Sequence, residues 1–210
     1  MTTLGLFVAI VIIGYLVGSV PTANIFMHLF KGQDLRQVGT GNVTSTALLI
    51  HAGKLPGALS ITGEVVKTAL CIFVAHLLVG ELWGYLVMLV AASVGQIWSI
   101  WLGGTGGKGQ TIFATGFLVL CPLPFAVSLL GLLVTFLATR RLFLSNQVWH
   151  LFTPIALMLA KLFNPAVFGL GERSWGYAIA SLPLVTMFFI KNRPQTDDLI
   201  QKQAWGTYSR

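Results

Sequence analysis

The chain has 210 residues, of which 55% are hydrophobic and only 9% are charged, and its mean hydropathy is +0.82. A water-soluble domain carries far more charge, so this composition excludes an ordinary soluble enzyme and favours an integral membrane protein. The formal net charge is +7 at pH 7. Basic residues beside membrane spans reflect topology and contact with anionic lipid headgroups, so this charge does not indicate nucleic-acid binding.

Seven apolar runs follow one another along the chain, and each predicts a membrane-spanning helix. They cover approximately residues 4–30, 55–79, 82–102, 111–121, 123–138, 148–163 and 175–190. The fourth, fifth and sixth runs are short for independent spans. Either neighbouring loop residues extend them, or the fourth and fifth form one interrupted unit around Pro122. We predict an all-α, polytopic membrane helix bundle with about seven transmembrane helices, in which residues 1–210 form a single integral membrane domain.

The basic residues alternate across these runs. If the first loop is cytoplasmic, ten of the 13 lysines and arginines fall in cytoplasmic segments, while Lys161 and Arg173 lie on the opposite side. The remaining basic residue, Lys67, lies within a span. By the positive-inside rule, this pattern predicts a multi-pass protein of the cell (inner) membrane, with its N-terminus outside and its C-terminus in the cytoplasm.

The first loop contains hydroxyl, amide and glycine residues around Thr40, Gly41 and Asn42. Such a segment offers several hydrogen-bonding groups to a polar ligand. The alternative interpretation is local: a turn followed by a helix cap, in which Asn42 or Thr44 accepts from N–H groups of the first helical turn.

A glycine cluster with a single lysine, residues 103–109, separates the third apolar run from the fourth. Glycine lets successive N–H groups turn inward, Lys108 supplies a positive charge, and the next helix would begin here with free N–H groups. These features predict a site for a phosphate-sized anion. The segment is not a P-loop, because its spacing differs and Gly109 stands where Ser or Thr should follow the lysine. A tight connector with an inward-facing lysine is the alternative.

Glu64 and Lys67 lie three residues apart within the second apolar run, so they share one helical face. Ionised groups at that depth are costly unless paired, which predicts a structural ion pair or one that orients the neighbouring loop. We expect no metal site, because the histidines share no ligand-like spacing, and we expect no cofactor. These histidines are His28, His51, His76 and His150.

Motifs in the first half of the chain follow one another in a recognisable order. They are Gly14–Pro21, Asp34–Arg36 with Val38–Asn42, Glu64 with Lys67, Gly95–Ser99 and Gly106–Gly109. In this order and spacing they resemble the bacterial acyl-phosphate:glycerol-3-phosphate acyltransferases, an integral membrane family. The resemblance covers the chain well up to about Thr115 and extends further only through apolar pattern and loop charge.

The resemblance implies an enzyme that moves a fatty acyl group from acyl phosphate to the 1-hydroxyl of glycerol 3-phosphate, giving lysophosphatidic acid in phospholipid biosynthesis. It implies seven spans around a site on the cytoplasmic face, membrane lipid as a neighbour, and an acyl-phosphate-producing enzyme as a partner. The implied catalytic residues are Lys108, Asn42 and Thr40, where Thr40 replaces a family serine. The implied substrate- and phosphate-binding residues are Gly41, Gly106, Gly107, Gly109, Arg141, Ser145, Asn192 and Arg193.

Other positions depart from the family pattern. Ala47 and Ile50 stand in place of an Asn and an Arg that close the first motif, and Gln96 and Ser99 replace a His and a Pro. Losing one charged contact to a buried phosphate costs about 2–5 kcal/mol unless another cation substitutes for it. Two alternatives to the enzyme therefore stay open: a catalytically inactive relative that binds lipid, phosphate or a partner enzyme, and a small membrane transporter.

Overall fold

The structure is a computed structural model that describes residues 2–163 and 173–198. Within these residues the regular structure is entirely helical, which confirms the predicted all-α class. The α-helices are α1 (Thr3–Ser19), α2 (Thr22–Lys31), α3 (Ser45–Ala52), α4 (Lys54–Leu78), α5 (Leu82–Ile97), α6 (Gln110–Leu120), α7 (Pro122–Thr139), α8 (Leu142–Phe163) and α9 (Arg173–Lys191). Short 3-10 turns cover Leu35–Gln37, Ile100–Leu102 and Pro194–Thr196.

Among the described residues, 5 segments are long and apolar enough to cross a membrane. They are Thr3–Lys31, Lys54–Leu78, Leu82–Leu102, Pro122–Thr139 and Leu142–Leu159. α6 has 11 residues, which is too short for the roughly 30 Å of a bilayer core at about 1.5 Å per residue. The chain is thus a polytopic membrane helix bundle, while the count of seven spans and the orientation of the termini stay predictions.

The first apolar run does not form one continuous helix, contrary to the expectation from its composition. α1 ends at Ser19 and α2 begins at Thr22. Pro21 lies between them and has no N–H to donate to the turn before it, so the helical hydrogen-bond ladder cannot continue through this point.

Side chains from other helices satisfy the carbonyl groups at the end of α1. The Lys67 ammonium on α4 donates to the carbonyl oxygens of Gly18 at 3.1 Å and Val20 at 3.0 Å. The Ser99 hydroxyl, just after α5, donates to the carbonyl oxygen of Ser19 at 2.6 Å. A cation also stabilises the negative end of a helix dipole, so the break in the first run is fixed by α4 and by the end of α5.

α1 and α5 pack with their backbones nearly in contact. A Cβ added at Gly18 would lie 2.1 Å from the carbonyl oxygen of Ala92, and one at Gly95 would lie 2.2 Å from that of Tyr15. Small residues permit such close approach between membrane helices. This contact fixes the end of α5, and with it the start of the glycine cluster, beside the end of α1.

The segments that follow α2, α5 and α9 lie at the same end of the bundle as the start of α8. The Arg36 guanidinium after α2 donates to the carbonyl oxygen of Leu102 at 3.3 Å, and Gln110 at the start of α6 donates to Asn146 on α8 at 3.0 Å. The loops that sequence patterning assigns to one side of the membrane are therefore neighbours. Which side this end faces stays a prediction.

Candidate functional site: a polar cavity around Lys108

The glycine cluster is held against α5 and against the first loop. The Gly107 N–H donates to the carbonyl oxygen of Gln96 at 2.9 Å. A Cβ at Gly106 would lie 2.2 Å from that same oxygen, and a Cβ at Gly107 would lie 2.7 Å from the carbonyl oxygen of Val43. Only glycine allows backbones to approach so closely. The two glycine-containing loops, which the family resemblance places in one site, therefore lie in contact.

A charged side chain also connects these two loops. Arg36 forms a salt bridge with Asp34 at 2.6 Å, and its hydrogen bonds lower the pKa of the Asp34 carboxyl to about 2. The same guanidinium contacts the Leu102 carbonyl oxygen at the start of the glycine cluster. Asp34 thus orients the cation that ties the first loop to the second.

A cavity of about 300 Å³ opens between the two loops, α4, α6, α8 and the segment after α9. Its volume is at the lower end of the range of roughly 300–1,000 Å³ that is typical of small-molecule sites. Its polar lining includes Thr44, Ser45, Thr46, Glu64, Gln96, Lys108, Gln110, Thr111, Asn146, Asn192, Asp197 and Asp198. The arrangement suits a small, polar ligand with several hydrogen-bonding groups.

Lys108 is the only cation among the described residues that line this cavity. Its ammonium donates to the side-chain oxygen of Asn192 and to a carboxylate oxygen of Asp197, each at 2.7 Å. The lysine and aspartate side chains are each 12% exposed. The structure thus brings the side chains of two predicted site residues into contact, Lys108 and Asn192, and adds a carboxylate that the sequence did not indicate. The predicted Gly107 and Gly109 line the same cavity.

Glu64 and Lys67 form a salt bridge of 2.9 Å in which both side chains are buried. Glu64 also accepts from the Thr22 hydroxyl and, at 2.5 Å, from the Gln96 side-chain amide. Glu64 and Gln96 both line the cavity. The pair therefore stabilises the break after α1 and, through Gln96, one wall of the cavity.

None of Thr40, Gly41 and Asn42, which the resemblance predicts to contact substrate, lines the cavity. The Thr40 hydroxyl donates to a carboxylate oxygen of Asp198 at 2.7 Å instead. Gly41 has a φ of 73° and forms a turn, and Thr44 caps α3 by accepting from a backbone N–H at 3.1 Å. The local alternative, a turn followed by a helix cap, describes this loop, and its later hydroxyls reach the cavity in place of Thr40.

Arg141, Ser145 and Arg193, which the resemblance predicts to bind substrate, do not line this cavity, and that role stays a prediction. Ser145 is buried, and its hydroxyl donates to the carbonyl oxygen of Arg141 at 2.8 Å within the first turn of α8. Each residue turns a helix by about 100°, so it is the next residue, Asn146, that faces the cavity. Both arginine side chains are exposed. Gly106 lets the loop approach α5 closely, and the Gly107 N–H donates to the end of α5.

Sequence reasoning missed Asp197, Asp198, His51 and Asn146. Asp198 accepts from the Thr40 N–H at 3.2 Å and contacts the His51 Nε2 at 3.0 Å, so it joins the segment after α9 to the first loop. The sequence does offer a signal for the two aspartates: Asp197 and Asp198 are adjacent in a chain that has only 6 acidic residues.

Residues 8–202 match the family model described as glycerol-3-phosphate acyltransferase. The chain belongs to this family. The glycerol-3-phosphate acyltransferase of Rubrobacter xylanophilus is 33% identical over 73% of this chain and 76% of that protein. The protein of the same name from Agrobacterium fabrum is 34% identical over 70% of this chain and 71% of that protein. The resemblance predicted from the motifs is confirmed.

Solved structures agree with this assignment. The crystal structure of PlsY (YgiH), an integral membrane glycerol 3-phosphate acyltransferase in its glycerol 3-phosphate form, is 26% identical, with a TM-score of 0.68 over 97% of this chain and 94% of that chain. A lysophosphatidic acid form of PlsY is 22% identical with a TM-score of 0.64 over the same shares of the two chains, and it shows that the fold is shared.

Proposed function

We propose that this chain transfers a fatty acyl group from acyl phosphate to the 1-hydroxyl of glycerol 3-phosphate and so makes lysophosphatidic acid for phospholipid synthesis. One observation carries the proposal: in a chain of this family, Lys108 lies on the wall of a small polar cavity formed by both glycine-containing loops. An ammonium in such a place is suited to a phosphate group.

The reaction needs little covalent chemistry from the protein. The substrate hydroxyl oxygen attacks the acyl carbon, an ester bond forms, and the bond from that carbon to the phosphate oxygen breaks. Phosphate leaves with the electron pair, and the hydroxyl proton ends on a phosphate oxygen. Because the donor is already activated, positioning and charge stabilisation are what the protein supplies.

Two groups at the cavity are suited to stabilise the negative charge that develops on the phosphate. One is the Lys108 ammonium. The other is the N-terminus of α6, which begins at Gln110 and whose first-turn N–H groups have no partner within the helix. The hydroxyl groups of residues 44–46 line the same cavity and offer hydrogen bonds to the glycerol part of the acceptor.

The site is proposed to face the cytoplasm, and the membrane to be the inner membrane. Support comes from the basic residues after α2, α5 and α9, which lie at the end of the bundle that holds the cavity. In this location acyl phosphate would be supplied by a partner enzyme that produces it.

The test is an assay of the purified chain in liposomes, with labelled acyl phosphate and glycerol 3-phosphate and with lysophosphatidic acid as the measured product. Lys108→Ala is expected to lower kcat/KM by roughly 30-fold to several-thousand-fold, because a charged contact to a buried phosphate contributes about 2–5 kcal/mol. Lys31→Ala is the matched control. It removes the same charge at the end of α2, where the side chain is exposed and outside the cavity. Undiminished transfer by Lys108→Ala refutes the assignment.

A catalytically inactive relative is the second candidate. One observation favours it: Lys108, the only cation among the described lining residues, is already paired with Asp197. Wild-type protein that inserts and folds but makes no lysophosphatidic acid in the same assay supports this candidate. The family assignment argues against the transporter alternative.

A further inference from the structure

The Lys108 ammonium already holds an anion in this structure. The carboxylate oxygen of Asp197 lies 2.7 Å from the lysine nitrogen, in the same cavity in which a phosphate would meet that lysine. An ammonium has three N–H donors, and the hydrogen bonds to Asn192 and Asp197 engage two of them. The strongest contact that a phosphate could make here is therefore occupied by a side chain of the protein.

The neighbouring residue fixes Asp197 in this position. Asp198 accepts from the Thr40 N–H and hydroxyl and contacts the His51 ring nitrogen at 3.0 Å. The Asp197 N–H donates to the carbonyl oxygen of Pro194 at 3.2 Å, which closes a short turn. Residues 192–198 thus form a strap along the cavity, held by Asn192 at Lys108 and by Asp198 at the first loop.

The charges on the cavity wall do not favour an additional anion. Lys67 neutralises Glu64, and Asp197 neutralises Lys108. Asp198 adds a further carboxylate to the wall. A phosphate dianion bound at Lys108 would lie beside Asp197, and like charges at contact distance repel strongly where water is scarce. A phosphate can bind Lys108 at full strength only after Asp197 has left it.

We propose that Asp197 is a built-in competitor for phosphate at Lys108. It pairs with the ammonium before a phosphate group binds, is displaced when one does, and so sets how tightly the site holds phosphate groups. The assignment of those groups to substrate and product rests on the proposed function. Because acyl phosphate, glycerol 3-phosphate and the released phosphate all carry the same charged group, a competitor of this kind weakens product binding and favours its release.

The test uses the full chain in detergent micelles and inorganic phosphate as the ligand. Asp197→Asn keeps the size of the side chain but removes its charge. Titration calorimetry is expected to show phosphate binding about tenfold tighter than in the wild type, since a charge-assisted contact no longer competes. In the transfer assay, KM for glycerol 3-phosphate should fall in the same direction. Asp197→Glu, which restores the charge, should return both values toward those of the wild type.

A purely structural role for Asp197 gives the opposite result. Loss of the pair would then leave Lys108 poorly placed, and phosphate binding would weaken. Weaker or unchanged binding in Asp197→Asn, or no binding by either protein, overturns the proposal. Glu81→Gln is the matched control, because it removes a carboxylate from the exposed turn before α5, outside this cavity.

A second measurement needs no variant. Hydrogen exchange of the wild-type amides of residues 192–198 is expected to accelerate when inorganic phosphate is added, because the strap loses its contact with Lys108. Unchanged or slower exchange contradicts the displacement. Neither binding nor exchange requires acyl transfer. A wild-type chain that makes no lysophosphatidic acid therefore defeats the proposed function without deciding this inference.

Discussion

Two lysines of this chain form carboxylate pairs of similar length in very different surroundings. Lys67 meets Glu64 at 2.9 Å with side chains that are only 6% and 5% exposed. Lys108 meets Asp197 at 2.7 Å on the wall of a cavity. The first pair lies between α4 and the broken end of α1, and the second lies between two loops and the segment after α9.

The difference shows when an ion pair is fixed and when it can exchange its partner. All three donors of the Lys67 ammonium are engaged, by Glu64 and by two carbonyl oxygens at the end of α1. Lys108 has two partners among the described residues and a polar cavity beside it. Lys67 is therefore fixed within the fold, whereas the surroundings of Lys108 suit the ligand binding that is proposed for it.

The largest expected effect on stability comes from Lys67→Met. The substitution leaves the buried Glu64 carboxylate without its cation and removes the donor to the end of α1. Breaking a buried pair in this way typically costs about 3–5 kcal/mol. Unfolding in detergent micelles, followed by temperature or denaturant, measures the loss, and adding Glu64→Gln to the variant should recover part of it.

Lys108→Met is the matched comparison for that measurement. Its side chain is more exposed and reaches a cavity, so the free energy of unfolding should change less while acyl transfer falls steeply. Equal losses in the free energy of unfolding for Lys67→Met and Lys108→Met would contradict the proposed difference between the two ion pairs.

A smaller effect is expected from Thr40→Val, which removes the hydroxyl group that donates to Asp198. Because this is one of three contacts that hold Asp198 at the first loop, KM for glycerol 3-phosphate should fall by only about two- to threefold, with kcat retained. Thr40→Ser keeps the hydroxyl and should behave like the wild type. A fall in kcat/KM of tenfold or more in Thr40→Val would instead place this hydroxyl on the substrate, as the motif resemblance implies.

Local features of this chain could be predicted from its sequence. Apolar runs gave the helices, and the spacing of three residues between Glu64 and Lys67 gave a pair on one helical face. The break at Pro21 was not predicted, although the proline was visible. Membrane helices often tolerate proline, so an apolar run alone does not reveal whether a proline bends a helix or ends it.

Contacts between distant segments could not be predicted in this way. Thr40 and Asp198 are 158 residues apart, and Lys108 and Asp197 are 89 residues apart. Periodicity and local motifs do not predict such pairs, because the packing of the whole bundle brings the two residues of each pair together. The place of Ser145 has a related cause: a shift of one residue on a helix moves a side chain to a different face, so Asn146 lines the cavity, while the role predicted for Ser145 stays a prediction.

The most direct test of the role of Lys108 is an experimental structure of the chain with glycerol 3-phosphate bound. We expect a phosphate oxygen within about 3 Å of the Lys108 nitrogen, with the Asp197 carboxylate no longer bound to that nitrogen. A phosphate held away from Lys108, for example by Arg141 or Arg193, would contradict this role.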